Sequence, residues 1–138
     1  MEDLPAIIGL LVKSQLTVEG LTDHLATSLI ARNQTTIVGT VTLEMFDDGA
    51  LLRSLAVEPA AQGRGIGGRL VHESIALAAS ASAPAIYLLT ITAEQFFPRF
   101  GFERIERAGV PGSLLRSVEF AYACPPSSIV MRRLLRPV

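Results

Sequence analysis

The run VEPAAQGRGIGGRL, residues 57–70, gathers the residues of this chain best suited to hold a ligand. Gly63, Gly65, Gly67 and Gly68 fall within six positions, with Arg64 and Arg69 among them and an apolar-periodic stretch behind. Glycine lets backbone N–H groups close on a ligand, and a helix start adds unpaired amides and a positive dipole end. An anion such as a pyrophosphate is the natural guest, with the arginines available for charge-assisted contacts. Gly63, Gly65 and Gly68 also spell G-x-G-x-x-G, the dinucleotide fingerprint. That fingerprint needs its glycines directly after the first strand of the domain and an acidic residue about 20 positions on. Here Pro59 to Gln62 separate Glu58 from Gly63, and the next strand-like run, AIYLLTI, ends without a carboxylate. A P-loop would require Gly-Lys-Ser/Thr, whereas this chain has Gly68-Arg69-Leu70. The anion cradle survives this comparison; the dinucleotide fails on context.

The elements that must position this stretch follow from periodicity and punctuation. LPAIIGLLVKSQ reads as a helix, with Pro5 in its first turn and Ile7, Ile8, Leu11 and Val12 at helical spacing. LTVEGLTDHL is ambiguous and allows a short second helix. ATSLIARN, TTIVGTVTLEMF and ALLRSLAVE then read as a strand meander, with turns at Asn33-Gln34 and Asp47-Asp48-Gly49. A two-residue turn at Asp48-Gly49 pairs Asp47 with Ala50, Phe46 with Leu51 and Met45 with Leu52, which sets Glu44 opposite Arg53 on one sheet face. Pro59 ends the third strand, and a helix runs from Gly65 to Ser80 with Ile66, Leu70, Leu77 and Ala78 on one side. AIYLLTI is apolar enough for a central, covered strand. Thr92 and Gln95 form a capping box ahead of a short helix, AEQFFPRF, and Gly101 stops it. GFERIER is a further strand, PGSLLRSVEFAYA a further helix, and SSIVMRRLL a last strand. The expected fold class is α/β (α+β): a mixed central sheet opening with an antiparallel meander and covered by helices on both faces.

Length and composition narrow the function. The 138 residues suit one domain, 1–138, with 49% hydrophobic and 18% charged residues. A formal net charge of −1 provides no basic field for nucleic acid. AIIGLLV is too short to span a bilayer, and MEDLP lacks the basic region of a secretory signal, so a soluble cytoplasmic protein is expected. One cysteine, Cys124, and two histidines offer neither an internal disulfide nor a metal cluster. Cys124 reads as a small buried hydrophobe. His24 and His72 read as helix-surface residues. The high aliphatic content, with mean hydropathy +0.42, hints at a homodimer.

At LLRSLAVEPAAQGRGIGGRL the chain resembles the acetyl-CoA site of the GNAT N-acetyltransferase superfamily: a strand ending LAV-x-P, then [QR]-x-x-G-x-[GA] opening a helix. FFPRFGFER resembles that family's short helix and following strand, and the likeness spans roughly residues 27 to 107. ALLRSLAV, YLLTIT, FFPRFGF and EFAYACPPSSIVMRR further resemble small N-acetyltransferases encoded with arsenic-resistance genes. The acetyltransferase domain of bacterial N-acetylglutamate synthase is a more distant likeness.

The resemblance implies that the strand before the glycines splays from its neighbour. Backbone groups of Leu55, Ala56 and Val57 would hold the pantetheine arm and thioester of acetyl-CoA. The pyrophosphate would rest on amides of Gly63, Arg64, Gly65, Ile66, Gly67 and Gly68, with the Gln62 or Arg64 side chain nearby. A neutral amine would attack the acetyl group directly, with a fixed backbone N–H polarising the thioester oxygen. Many relatives use a tyrosine before the GF pair to protonate the leaving thiolate; Phe97 occupies that position here, leaving Tyr122, Cys124, Ser127 or water. Thr92 is at best a substitute for the pantetheine-binding asparagine of many relatives. The family's first edge strand is missing, either trimmed or absent. The candidate bases are Glu44, Glu58 and Glu119. Of these, Glu44 with Arg53 is the most informative pair, readable as an amine-receiving carboxylate beside a carboxylate anchor or as an ordinary cross-strand ion pair. The expected acceptor is a small amino-acid-like amine, with arsenic entering only within such a molecule or through genomic context. A non-catalytic acyl-CoA-binding module and a protein N-terminus acetyltransferase are the alternatives.

Overall fold

The computed structural model describes residues 4–14, 16, 27–91, 93–116 and 128–135. Helix α1 (Leu4–Lys13) precedes strands β1 (Ser28–Asn33), β2 (Thr36–Phe46) and β3 (Gly49–Val57). Helix α2 (Ile66–Ser80), strands β4 (Ala85–Thr90) and β5 (Glu103–Ile105), the short helix α3 (Gly112–Leu115) and strand β6 (Ile129–Leu134) follow. The strands form one six-stranded sheet in the order β1-β2-β3-β4-β6-β5. Among the described residues only the β3–β4 pair is parallel.

Alternation along the strands sorts side chains onto two covered faces. Val41, Leu43, Ala50, Leu52, Ile86, Leu88 and Met131 face α2 and pack with its Leu70, Val71 and Ala78. On the opposite face Leu51, Tyr87 and Val130 pack with Leu114 of α3, while Ile7, Leu10 and Leu11 of α1 cover Ala56. Val12, expected on the buried stripe of α1, is 64% exposed, and Leu10 takes that place. Both hairpin turns sit one residue from their expected positions. Asn33 pairs with Thr36, so the first turn is Gln34–Thr35, with Gln34 left-handed at φ 59°.

The second hairpin pairs Phe46 with Gly49 and Met45 with Ala50, so Asp47 and Asp48 make the turn. Glu44 therefore lies opposite Leu51, and Arg53 opposite Thr42. Gly49 belongs to the strand for a packing reason: a Cβ there would lie 2.9 Å from the Tyr87 ring. The slip moves the partner by two positions, so Glu44 and Arg53 stay on the same face as diagonal neighbours. The expected AEQFFPRF helix is instead a turn followed by a single 3₁₀ turn, Phe97–Phe100, ended by left-handed Gly101 at φ 86°. The Thr92 capping box lies outside the described residues; Thr90 Oγ1 accepts the Ala93 N–H at 2.9 Å instead. No helix among the described residues is long and apolar enough to cross a membrane.

Candidate functional site

The glycine stretch lies between the end of β3 and the start of α2. Gly63 and Gly65 are left-handed, at φ 85° and 78°, a conformation L side chains rarely adopt. Gly65 caps α2 without any side-chain acceptor, and the first closing bond runs from the Arg69 N–H to its carbonyl. The amides of Ile66, Gly67 and Gly68 precede that bond, so the helix offers them outward with its positive end. A Cβ on Gly63 or Gly65 would meet nothing within 4 Å, which leaves open space above the cradle. Gly68 answers to packing: a Cβ there would come 3.3 Å from the Phe100 ring, and one on Gly67 3.5 Å from Phe96. Arg64 is exposed, and Arg69 leans toward Glu73 at 3.8 Å. Gln62 turns back instead, its Nε2 donating to the Val57 carbonyl at 3.0 Å, so it ties the loop to the strand end.

Upstream, β3 parts from β4. The two strands pair only at Ala50–Ile86 and Leu51–Tyr87, while β4 continues to Thr90 held by β6 on its far side. Among the described residues, the β4-facing edge of β3 from Leu52 to Val57 has no strand partner, which leaves a wedge that leads to the cradle. A bulge shapes its wall. The β2–β3 register shifts between Thr40 and Thr42, with Ser54 left-handed at φ 61° as the extra residue. Such a bulge exchanges the faces of everything beyond it. Leu55 and Val57 consequently turn toward the α2 cluster while Ala56 turns toward α1.

Glu44 and Arg53 meet under the α1 face. Arg53 Nη1 donates to Glu44 Oε2 at 2.8 Å, and Arg53 Nε to Ser54 Oγ at 3.1 Å. The Arg53 side chain has no exposed surface and that of Glu44 only 4%. Thr40 and Thr42 on the same face are also fully buried, so the sheet carries a polar strip beside the wedge. Glu58, the second candidate base, is half-buried and pairs with Lys13 at 2.7 Å, linking α1 to the end of β3. Phe97 is 5% exposed and stacks edge-on with Phe96 and Phe102. Its place in the core is that of an apolar ring. His72 is exposed and meets Phe100 edge-on, with centroids 5.2 Å apart. His24, Thr92, Glu119, Tyr122, Cys124 and Ser127 lie outside the described residues. Among those described, no group of histidine, cysteine and acidic side chains could hold a metal.

Two contributors carry no signal in the sequence. Arg133 on β6 donates from Nη1 to the Phe100 carbonyl at 2.6 Å and fixes the turn whose Phe96 and Phe100 rings abut the start of α2. Nothing local marks it, because its partner lies 33 residues away. Ser54 is the other, since a left-handed serine inside a strand leaves no signal in the sequence.

The profile of the acetyltransferase (GNAT) domain matches residues 24–104. N-acetylglutamate synthase from Neisseria gonorrhoeae, complexed with coenzyme A and N-acetyl-glutamate, superposes with a TM-score of 0.84 at 23% identity, covering 99% of this chain and 34% of that one. Rv2747 from Mycobacterium tuberculosis, in complex with CoA and NLQ, gives 0.83 at 26% identity over 98% of this chain and 95% of that one. A GNAT-family acetyltransferase from Staphylococcus aureus gives 0.79 at 20% identity, over 99% and 95% respectively. The chain thus spans about a third of the synthase and nearly all of the other two. Comparison with curated proteins gives no match. With the profile covering more than half its length, and the wedge and glycine cradle set end to end along one strand, the chain belongs to the GNAT acetyltransferase family.

Proposed function

We propose that this N-acetyltransferase, read as one domain over residues 1–138, moves the acetyl group of acetyl-CoA directly onto the amine of a small amino-acid-like acceptor. The observation that carries this reading is the wedge between β3 and β4 leading into the left-handed glycines before α2. Acetyl-CoA would supply the acetyl group, with its thiol as the leaving group. The chain's part is to bind and orient. Amides of Gly63, Arg64, Gly65, Ile66, Gly67 and Gly68 hold the pyrophosphate against the positive end of α2, with the Arg64 side chain adding charge. Backbone groups of Leu55, Ala56 and Val57 along the free edge of β3 hold the thioester arm. A fixed N–H there stabilises negative charge on the oxygen as the amine attacks.

A C–N bond forms and the C–S bond breaks. The amine's proton passes toward Glu44, which Arg53 keeps oriented, and because Phe97 offers no hydroxyl the thiolate takes its proton from Tyr122, Cys124, Ser127 or water. Gln62 contributes by fixing the end of β3 at Val57. The likeness to arsenic-resistance acetyltransferases suggests that the acceptor is a toxic amino-acid analogue, with the arsenic carried inside the amine-bearing molecule.

The test is release of CoA across a panel of free amino acids and arsenic- and phosphorus-containing analogues, with peptides as a separate arm. Turnover is expected with at least one free amino compound. No turnover above hydrolysis, or turnover with peptides alone, would overturn the proposal.

A further inference from the structure

We propose that Arg99, held over the Phe96 ring beside the glycine cradle, recognises the phosphate monoester on the ribose of coenzyme A and makes the chain select donors that carry it. The inference rests on the reading of the protein as an acetyl-CoA enzyme and adds to it a residue for donor specificity. The turn after β4 brings two phenyl rings onto the first turn of α2. A Cβ on Gly67 would lie 3.5 Å from Phe96 Cζ, and one on Gly68 3.3 Å from Phe100 Cζ. Both rings are half-buried against the core under α2, so packing sets their positions.

Arg99 is exposed, and its Cζ lies 5.6 Å from the centroid of the Phe96 ring. A guanidinium over a ring at that distance is drawn by the negative face of the π-system. The backbone beneath it is held as well. Pro98 restricts φ, Gly101 closes the 3₁₀ turn, and Arg133 Nη1 donates to the Phe100 carbonyl at 2.6 Å. No carboxylate among the described residues forms an ion pair with Arg99. A surface arginine ordinarily loses much rotamer freedom when it grips an anion. Here the ring and the fixed turn have already narrowed its range.

The other cations near the cradle have places of their own. Arg64 sits between the left-handed Gly63 and Gly65, on the loop that would meet the pyrophosphate. Arg69 leans toward Glu73 at 3.8 Å, and His72 meets Phe100 edge-on. That leaves Arg99, one phenyl ring away from the start of α2. In coenzyme A the 3′-phosphate is separated from the pyrophosphate by one ribose. A pyrophosphate on the amides of Gly63 to Gly68 therefore keeps the monoester near this turn. A phosphate monoester carries about −1.5 to −2 charge at pH 7 and three acceptor oxygens, which suit the planar fork of an arginine. Dephospho-coenzyme A lacks that group yet keeps everything that would enter the wedge and the cradle.

The experiment is calorimetry with coenzyme A and 3′-dephospho-coenzyme A in the wild type, Arg99→Gln and Arg64→Gln. The wild type should bind coenzyme A about tenfold more tightly than the dephospho form, the gain from hydrogen bonds to a charged group. Arg99→Gln should lose this preference by weakening coenzyme A alone. Arg64→Gln should weaken both ligands equally, because both carry the pyrophosphate. Added salt should narrow the preference of the wild type and leave Arg99→Gln unchanged. With the acetylated forms as donors, KM should follow the same pattern while kcat stays constant.

Equal affinity of the wild type for the two ligands would overturn the proposal and leave the acetyltransferase reading standing. So would a preference that survives Arg99→Gln, or an equal loss of both ligands in that variant. Failure of both ligands to bind the wild type would remove the coenzyme reading itself, and the proposal with it.

Discussion

Arg53 carries a full charge on a side chain with no exposed surface, beneath a sheet whose other face is apolar. Its hydrogen bonds to Glu44 and Ser54 offset part of the desolvation, which is why removing one partner is more damaging than removing both. Glu44→Gln or Arg53→Met alone should lower unfolding stability by about 3–5 kcal/mol, measured by urea denaturation. The double variant should recover most of that loss. A cross-strand pair that only held the strands together would recover activity along with stability. If Glu44 receives the amine's proton, stability returns and kcat does not. A double variant with near wild-type kcat would therefore remove Glu44 from the reaction and leave it a purely structural partner.

The start of α2 shows four glycines present for different reasons, and substitutions separate them. Gly65→Ala forces a Cβ onto a left-handed residue and should destabilise by about 1 kcal/mol. It should also raise the KM for acetyl-CoA by disturbing the cradle. Gly67 is helical, and its Cβ would make ordinary contacts at 3.5 and 3.7 Å, so Gly67→Ala should stabilise by about 0.5–1 kcal/mol. Opposite signs in thermal denaturation check the assignment; equal signs would refute it. The glycine cluster was legible because helix capping and left-handed turns are local demands that leave local marks. The strands were legible for the same reason. The register of the second hairpin was not, since Gly49 looked like a turn residue and is a strand residue cleared for the Tyr87 ring, which lies on β4. Arg133 answers to a partner that comes near only when distant segments meet, and Ser54 to a bulge set by the pairing of β3 with β2, so neither leaves a local mark.

At the scale of the whole molecule, the sheet is nearly divided. β1, β2 and β3 form one ladder and β4, β6 and β5 another, joined by two parallel pairs at Ala50–Ile86 and Leu51–Tyr87. What else joins them is the core under α2, packed around Leu70, Val71 and Ala78, and the cluster on the opposite face, where Leu51 packs with Tyr87 and Val130. A ligand seated in the wedge and bound at the cradle bridges both ladders, so it should stabilise the fold more than its contacts with either part alone. Binding at a hundredfold excess over Kd contributes about 2.7 kcal/mol. For a chain of this length that corresponds to a rise in Tm of about 8 °C. Pantetheine, which lacks the pyrophosphate, should give a much smaller shift at the same concentration, and so should an adenosine diphosphate that reaches the cradle but not the wedge. If either fragment matched coenzyme A, the two halves of the site would not be coupled through β3. The wedge would then be a passive gap in the sheet, not the place where the cofactor holds the two ladders together.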